Sequence, residues 1–218
     1  MPSQTLSLVD DNADGFENQF GWGPTGAILI VDGAAGPTDD RQSALSFVLT
    51  ATIPAAAIFT KAYLRLNTDP GAGDTVTINI QVEDADPASN TVPSNGHLPS
   101  DMVPVGSGHS AGSIAYVANA WYFGEADIAP VNLATSFQTL IALYGELTAG
   151  HRVNVFLEGT TTGSALFDDF SSANPGTLYL EWTTGGQVNA RNAIALSSIS
   201  AINGLAKASV SAINGLTL

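Results

Sequence analysis

Thr75-Val76-Thr77-Ile78-Asn79-Ile80-Gln81-Val82-Glu83 decides the fold class. Val76, Ile78, Ile80 and Val82 alternate with Thr77, Asn79 and Gln81. A period of two puts the apolar side chains on one face of a strand. Two more stretches repeat the pattern. In 152–158, Val153, Val155 and Leu157 alternate with Arg152, Asn154, Phe156 and Glu158. In 177–183, Leu178, Leu180 and Trp182 alternate with Tyr179 and Glu181, which assigns Trp182 to the core. Weaker strand patterns fall at 27–31, 45–50, 61–67, 113–117, 121–128, 139–144 and 164–167, and a weak helical pattern spans 134–140.

The punctuation agrees. The 22 glycines and 11 prolines are spread through the chain between short runs rich in Thr, Val, Ile and aromatics. Asp69-Pro70-Gly71-Ala72-Gly73-Asp74 and Asn174-Pro175-Gly176 read as turns between strands. The predicted fold class is all-β, with short strands at the spacing of a β-sandwich over residues 1–184, followed by an extended C-terminal assembly tail over 185–218. One connection, 84–112, is long and rich in Pro, Gly, Ser, Asn and Asp, which marks it as a functional excursion or a disordered one.

The tail differs in kind from the body. Residues 187–218 contain no acid, aromatic or proline, and carry Arg191 and Lys207, so this segment is +2 while the rest of the chain is −16. It also holds a repeat. Ser198-Ile199-Ser200-Ala201-Ile202-Asn203-Gly204-Leu205 recurs eleven residues later as Ser209-Val210-Ser211-Ala212-Ile213-Asn214-Gly215-Leu216. Two copies of an apolar segment with Asn-Gly turns cannot bury themselves alone, and short Ala-rich Ile/Leu runs fit strand, helix or extended chain alike. The tail is therefore expected to dock on its own body, a symmetry mate or a larger assembly, through Ile199, Ile202, Leu205, Val210, Ile213 and Leu216.

Composition excludes several functions. Twenty acids against six bases give a net charge of −14 over 218 residues. A nucleic-acid binder needs a basic face, and an anionic membrane surface repels this charge, so neither is an expected partner. There is no cysteine, hence no disulfide frame, thiolate metal site or cysteine nucleophile. The first residues, Met1-Pro2-Ser3-Gln4-Thr5, lack a basic region and an apolar run, so synthesis in a cytoplasm without a secretory signal is the expectation.

Three chemical motifs remain. Gly108-His109-Ser110-Ala111-Gly112 fits the G-x-S-x-G nucleophile elbow. The elbow needs a strand, a sharp turn and a helix. Here the flanks read as loop and strand, and Asp127 and His151 follow too closely to be the triad partners, so no catalytic residue is assigned. His97, His109 and His151 lack metal-ligand spacing. Among the acids, Asp10-Asp11-Asn12-Ala13-Asp14-Gly15 is the best candidate for structural calcium, through Asp10, Asp11 and Asp14, although it lacks the later ligands of a full calcium loop. Trp121 and Tyr122 are candidate ligand-stacking aromatics, with Trp22, Tyr116 and Phe123 as further exposed-ring possibilities.

The body resembles the DNRLRE-type β-sandwich, a jelly-roll domain similar in shape to carbohydrate-binding modules. The likeness spans about 10–184 and rests on quoted segments. An acidic strand entry runs Asp10-Asp11-Asn12-Ala13-Asp14-Gly15-Phe16. It continues with Arg41-Gln42-Ser43-Ala44-Leu45-Ser46-Phe47, and its most specific part is the block around Ile53-Pro54 and Ala62-Tyr63-Leu64-Arg65-Leu66. Trp121 opens a later strand, and Phe167 to Ser171 with Pro175 to Trp182 closes the domain. The chain departs from the pattern in its N-terminal third and in the 84–112 loop. That resemblance implies a jelly roll and no shared catalytic residue. The repeat tail is similar to the C-termini of tailed-phage virion proteins. Together these imply a non-enzymatic virion structural protein, foremost a capsid decoration (cement) protein. Its expected partners are other capsid or tail proteins and further copies of itself, as a homo-oligomer. The alternative is a tail-fibre or extracellular carbohydrate-binding adhesin module.

Overall fold

The computed structural model describes residues 1–8, 14–18, 21–23, 28–33, 42–68, 76–106, 109–114, 120–124, 131–168 and 170–184, and the residue pairs 201–202, 205–206, 212–213 and 216–217. The chain divides into two compact units, Met1–Thr184 and Gly185–Leu218.

In the first unit the strands are β1 (Ser3–Ser7), β2 (Asp14–Asn18), β3 (Gly21–Gly23), β4 (Ile28–Gly33), β5 (Gln42–Val48), β6 (Ala57–Asn67), β7 (Val76–Val82), β8 (His109–Ile114), β9 (Trp121–Tyr122), β10 (Arg152–Gly159), β11 (Gly163–Asp168) and β12 (Thr177–Thr184). A helix, α1 (Ala134–Tyr144), lies between β9 and β10. One sheet has the order β1-β12-β6-β9. The other is eight-stranded: β8, β7, β10, β5, β2 and β3 pair antiparallel in that sequence, and the β4–β11 pair joins β10 through a single parallel contact, Gly159 opposite Gly33.

These pairings are nested. β7 pairs β8, β6 pairs β9, β5 pairs β10 and β1 pairs β12. A long antiparallel ribbon with those rungs, rolled so that β12 meets β6 and β10 meets β7, is a jelly roll. Strands β2–β4, helix α1 and strand β11 are insertions into that plan. The core lies between the sheets. Leu45, Phe47, Ile78, Ile80, Val153, Val155 and Leu157 from one sheet share a single cluster with Leu6, Leu64, Leu66, Leu178, Leu180 and Trp182 from the other. Gly176, just before β12, is needed for this packing, because a Cβ there would lie 2.7 Å from a methyl of Leu66.

The strands at 45–50, 61–67, 75–83, 152–158, 164–167 and 177–183 are observed with shifted ends. Two expectations need correction. The segment 139–144 is the second half of α1, not a strand. Phe137, Leu140 and Ile141 are its buried apolar residues, and spacings of three and four are helical. Gly145 follows at φ +80°, a conformation that favours glycine, and its N–H closes the helix on the Ile141 carbonyl. Tertiary context also demands the helix. β9 covers only Leu66 and Asn67 of the eleven-residue β6. Farther along, that edge is satisfied by the helix and its approach. Asn132 Oδ1 accepts from Ala62 N at 3.1 Å, Leu133 N donates to Ala62 O at 2.7 Å, and the Gln138 amide bonds Phe59 N and Ala57 O. The second correction concerns 113–117. Its strand begins earlier, as β8 at His109, because β7 needs a partner over Val76–Ile80. Residues 115–119 and the turn at 69–74 lie outside the described residues.

The short β1 was not legible as a strand. Its place is fixed by Gln4, whose Oε1 accepts from Thr50 N, Thr50 Oγ1 and Ala51 N at 2.9–3.0 Å. The side-chain amide thus ties the first strand to the crossing between sheets.

In the second unit, β13 (Ala201–Ile202) pairs β14 (Leu205–Ala206), and β15 (Ala212–Ile213) pairs β16 (Leu216–Thr217). The registers set Ile202 opposite Leu205 and Ile213 opposite Leu216, and the Asn-Gly pairs between them in sequence lie outside the described residues.

Candidate functional site

The 84–106 segment is ordered into a strap across the outer face of the larger sheet. It begins beside β7, where Asp84 N donates to Val103 O at 2.7 Å and Val105 N to Val82 O at 2.8 Å. Two 3₁₀ turns, Pro87–Ser89 and Pro99–Asp101, shape it, and both leading prolines are buried. Asp86 caps the first turn by accepting from Ala88 N. On the far side the strap reaches β2 and β3. Ser100 donates from N and Oγ to the Glu17 carboxylate at 2.9 and 2.8 Å, and Asn95 Oδ1 accepts from Trp22 N at 2.8 Å.

Beneath the strap lies a polar face. Asn154 of β10 stands opposite Ser46 of β5. Asn154 Nδ2 donates to Glu83 Oε2 at 2.7 Å and to Thr91 O at 3.0 Å. Glu83 Oε1 lies 2.6 Å from His97 Nε2, and the Glu83 side chain is 4% exposed. Asn79 and Gln81 of β7 donate to Glu158 Oε2 at 3.3 and 3.4 Å. The apolar content is small: Met102 of the strap, Ala44, Phe156 and the partly buried Trp22 form a separate cluster. Phe156, grouped by alternation with polar neighbours, is therefore buried on the second face of a strand buried on both. Ser46 Oγ and Asn154 Oδ1 are buried without a hydrogen-bond partner among the described residues. Burying such groups unpaired costs about 1–3 kcal/mol each, so the strap's other contacts must offset them.

A surface patch adjoins the strap. Val103, Leu143 and Tyr144 are exposed, at 62, 55 and 37%. Tyr144 OH donates to Asp84 Oδ1 at 2.8 Å, and Asp84 is backbone-paired with Val103. That hydrogen bond, then burial, then the Asp84 charge push the Tyr144 hydroxyl above its ordinary pKa. Sequence reading missed this patch because its residues come from two separate segments.

The sequence-derived candidates are dispersed. Ser110 sits inside β8 opposite Asn79, so the turn that a nucleophile elbow requires is not at this serine. His97 serves the strap, His109 pairs with Ile80 in β8, and His151 N donates to Thr148 O. Asp14 is 1% exposed in β2, and its Oδ2 accepts from Phe170 N at 3.0 Å, while Asp10 and Asp11 lie outside the described residues. Asp168 is likewise buried and accepts from Asn67 Nδ2 at 2.7 Å. Among the described residues no group of three or more His, Asp and Glu side chains is placed to hold a metal ion, and no helix is long and apolar enough to cross a membrane. Trp121 and Tyr122 form β9 against Asn67 and Leu66; their side chains are outside the described set. Phe123, which follows, is fully buried at φ +69° and packs 6.0 Å from Phe167, so it is not a platform. In the tail, Ile202, Leu205, Ile213 and Leu216 each fall on a hairpin arm, whereas Ile199 and Val210 lie outside the described residues.

No protein-family model matches the chain, and the search of curated proteins finds no match.

Proposed function

We propose that the chain is a non-enzymatic structural protein of a phage virion, a capsid decoration protein whose jelly-roll body is the displayed block and whose tail is the assembly element. One observation carries this reading: the second compact unit pairs Ala201-Ile202 with Leu205-Ala206 and, eleven residues on, Ala212-Ile213 with Leu216-Thr217. A duplicated minimal hairpin has little to bury within itself, and repeated weak contacts gain strength by avidity on a symmetric shell. The body supports the same reading. The buried acids among the described residues, Asp14, Glu83 and Asp168, are each held in internal contacts. Deleting 187–218 is expected to leave a folded body that no longer associates with particles. Particle association retained after that truncation would sink the proposal.

A second reading, a carbohydrate-binding adhesin module, is favoured by the Tyr144 ring exposed beside Asp84, an aromatic face next to a carboxylate acceptor. Saturable glycan-array binding, lost on Tyr144→Ala or Trp121→Ala with the fold intact, supports it. Absence of binding across the array removes it. Calcium at Asp10, Asp11 and Asp14 belongs to this reading and is tested by a calcium-dependent rise in melting temperature.

A further inference from the structure

The tail hairpins have a size and an edge geometry that specify a partner. Each consists of two-residue arms, with Ile202 opposite Leu205 and Ala201 opposite Ala206 in the first, and Ile213 opposite Leu216 and Ala212 opposite Thr217 in the second. Among the described residues they form two separate two-stranded sheets. An isolated two-stranded hairpin is marginal in water, and three or more strands are needed for independent stability. In a hairpin with a two-residue loop, the pair beside the loop exchanges the inward hydrogen bonds. The next pair out then turns its N–H and C=O groups away from the hairpin. Those outward pairs are Ala201/Ala206 and Ala212/Thr217. Alanine and threonine offer little steric obstruction, and among the four there is no proline or charge of the kind that normally blunts an edge.

We infer that the tail hairpins pair edge to edge with the same hairpins of other copies, so that the occupant of each open edge is a second copy of this chain. This rests on the reading of the tail as the assembly element and names its partner. Identical chains carry identical edges at the same eleven-residue spacing, so engaging one hairpin brings the second into register. The contact is backbone to backbone and needs no complementary charge, which suits a segment with two bases and no acid.

The test uses the full chain. Sedimentation velocity is expected to give a dimer or larger species. Ala206→Pro with Thr217→Pro removes an outward N–H from each hairpin while leaving the inward bonds, and is expected to return the monomer with the melting temperature of the body unchanged. The chain has no cysteine, so a spin label at Ala201→Cys is unique, and intermolecular dipolar coupling there is expected only in the oligomer. A full chain that stays monomeric, or a double-proline variant that keeps the parent mass, overturns the inference. Failure here is separable from failure of the virion reading: a monomer that still joins particles defeats edge pairing alone, and an oligomer never found in particles defeats the virion role alone.

Discussion

The two faces of the larger sheet are built on different physics. The inner face presents Leu45, Phe47, Ile78, Ile80, Val82, Val153, Val155 and Leu157 to the opposing sheet. Burial there is non-directional, and each side chain is worth about 1.5–3 kcal/mol. The outer face presents Ser46, Gln81, Glu83 and Asn154, and a strap closes it with hydrogen bonds and a single small apolar cluster. Directional bonds of that kind are worth about 0.5–1.5 kcal/mol net, yet leaving one partner unpaired costs more than the bond itself contributes. The inner face therefore sets whether the body folds, and the outer face sets whether the strap stays in place.

The contrast can be broken hardest from the inside. Phe47→Ala, at a fully buried position, should lower unfolding free energy by about 3–5 kcal/mol in a denaturant titration. A loss under about 1 kcal/mol would mean the inner face is not the source of stability. Glu83→Ala removes one of the two acceptors of Asn154 Nδ2, leaving Thr91 O, and removes the neighbour of His97. We expect a loss of about 1–3 kcal/mol together with faster proteolysis within 84–106 and little change elsewhere. Cleavage spread evenly over the body would show that strap and core do not separate.

Glu181 sharpens the comparison on the smaller sheet, beside the buried Trp182. Its carboxylate accepts from Thr60 Oγ1 at 2.7 Å and Tyr179 OH at 3.0 Å, and these bonds, Thr60 first, hold its pKa below the ordinary glutamate value. Because the folded value is the lower one, this contribution is complete above the unfolded glutamate pKa and is lost as pH falls through the folded one. Glu181→Gln should flatten that part of the acid limb of a stability–pH curve; an unchanged limb would show the bonds carry no linkage. The smallest change is expected at Ser46→Ala. It deletes a buried hydroxyl without a partner among the described residues, so stability should hold or rise slightly. A clear loss would reveal a bond to that hydroxyl.

Legibility in the sequence followed the faces. Strands with one apolar side, such as β7 and β12, were readable because alternation records the inner face directly. Strand β10 was only half readable, since Phe156 is buried on the face that alternation assigned to solvent. Asn154 in the middle of that strand was the one available sign that something polar covers it. The helix at 134–144 was misread over its second half because a short Leu-Ile-Ala-Leu-Tyr run fits either period, and the open edge of β6 settled the matter. The tail repeat and its Asn-Gly pairs were readable, but whether the segment is strand, helix or extended was not, because short Ala-rich Ile/Leu runs fit either period; the paired arms came from the structure.

By itself the sequence determined the all-β class, the core-facing residues, the repeat and the charge contrast between body and tail. All of these are written in spacing and composition over short windows. Only the tertiary structure decided the nested strand order, the path of the strap, and the union of Val103, Tyr144 and Asp84 at one place on the surface. Those depend on which distant segments meet, and a one-dimensional pattern records how each segment packs but not which partner it packs against.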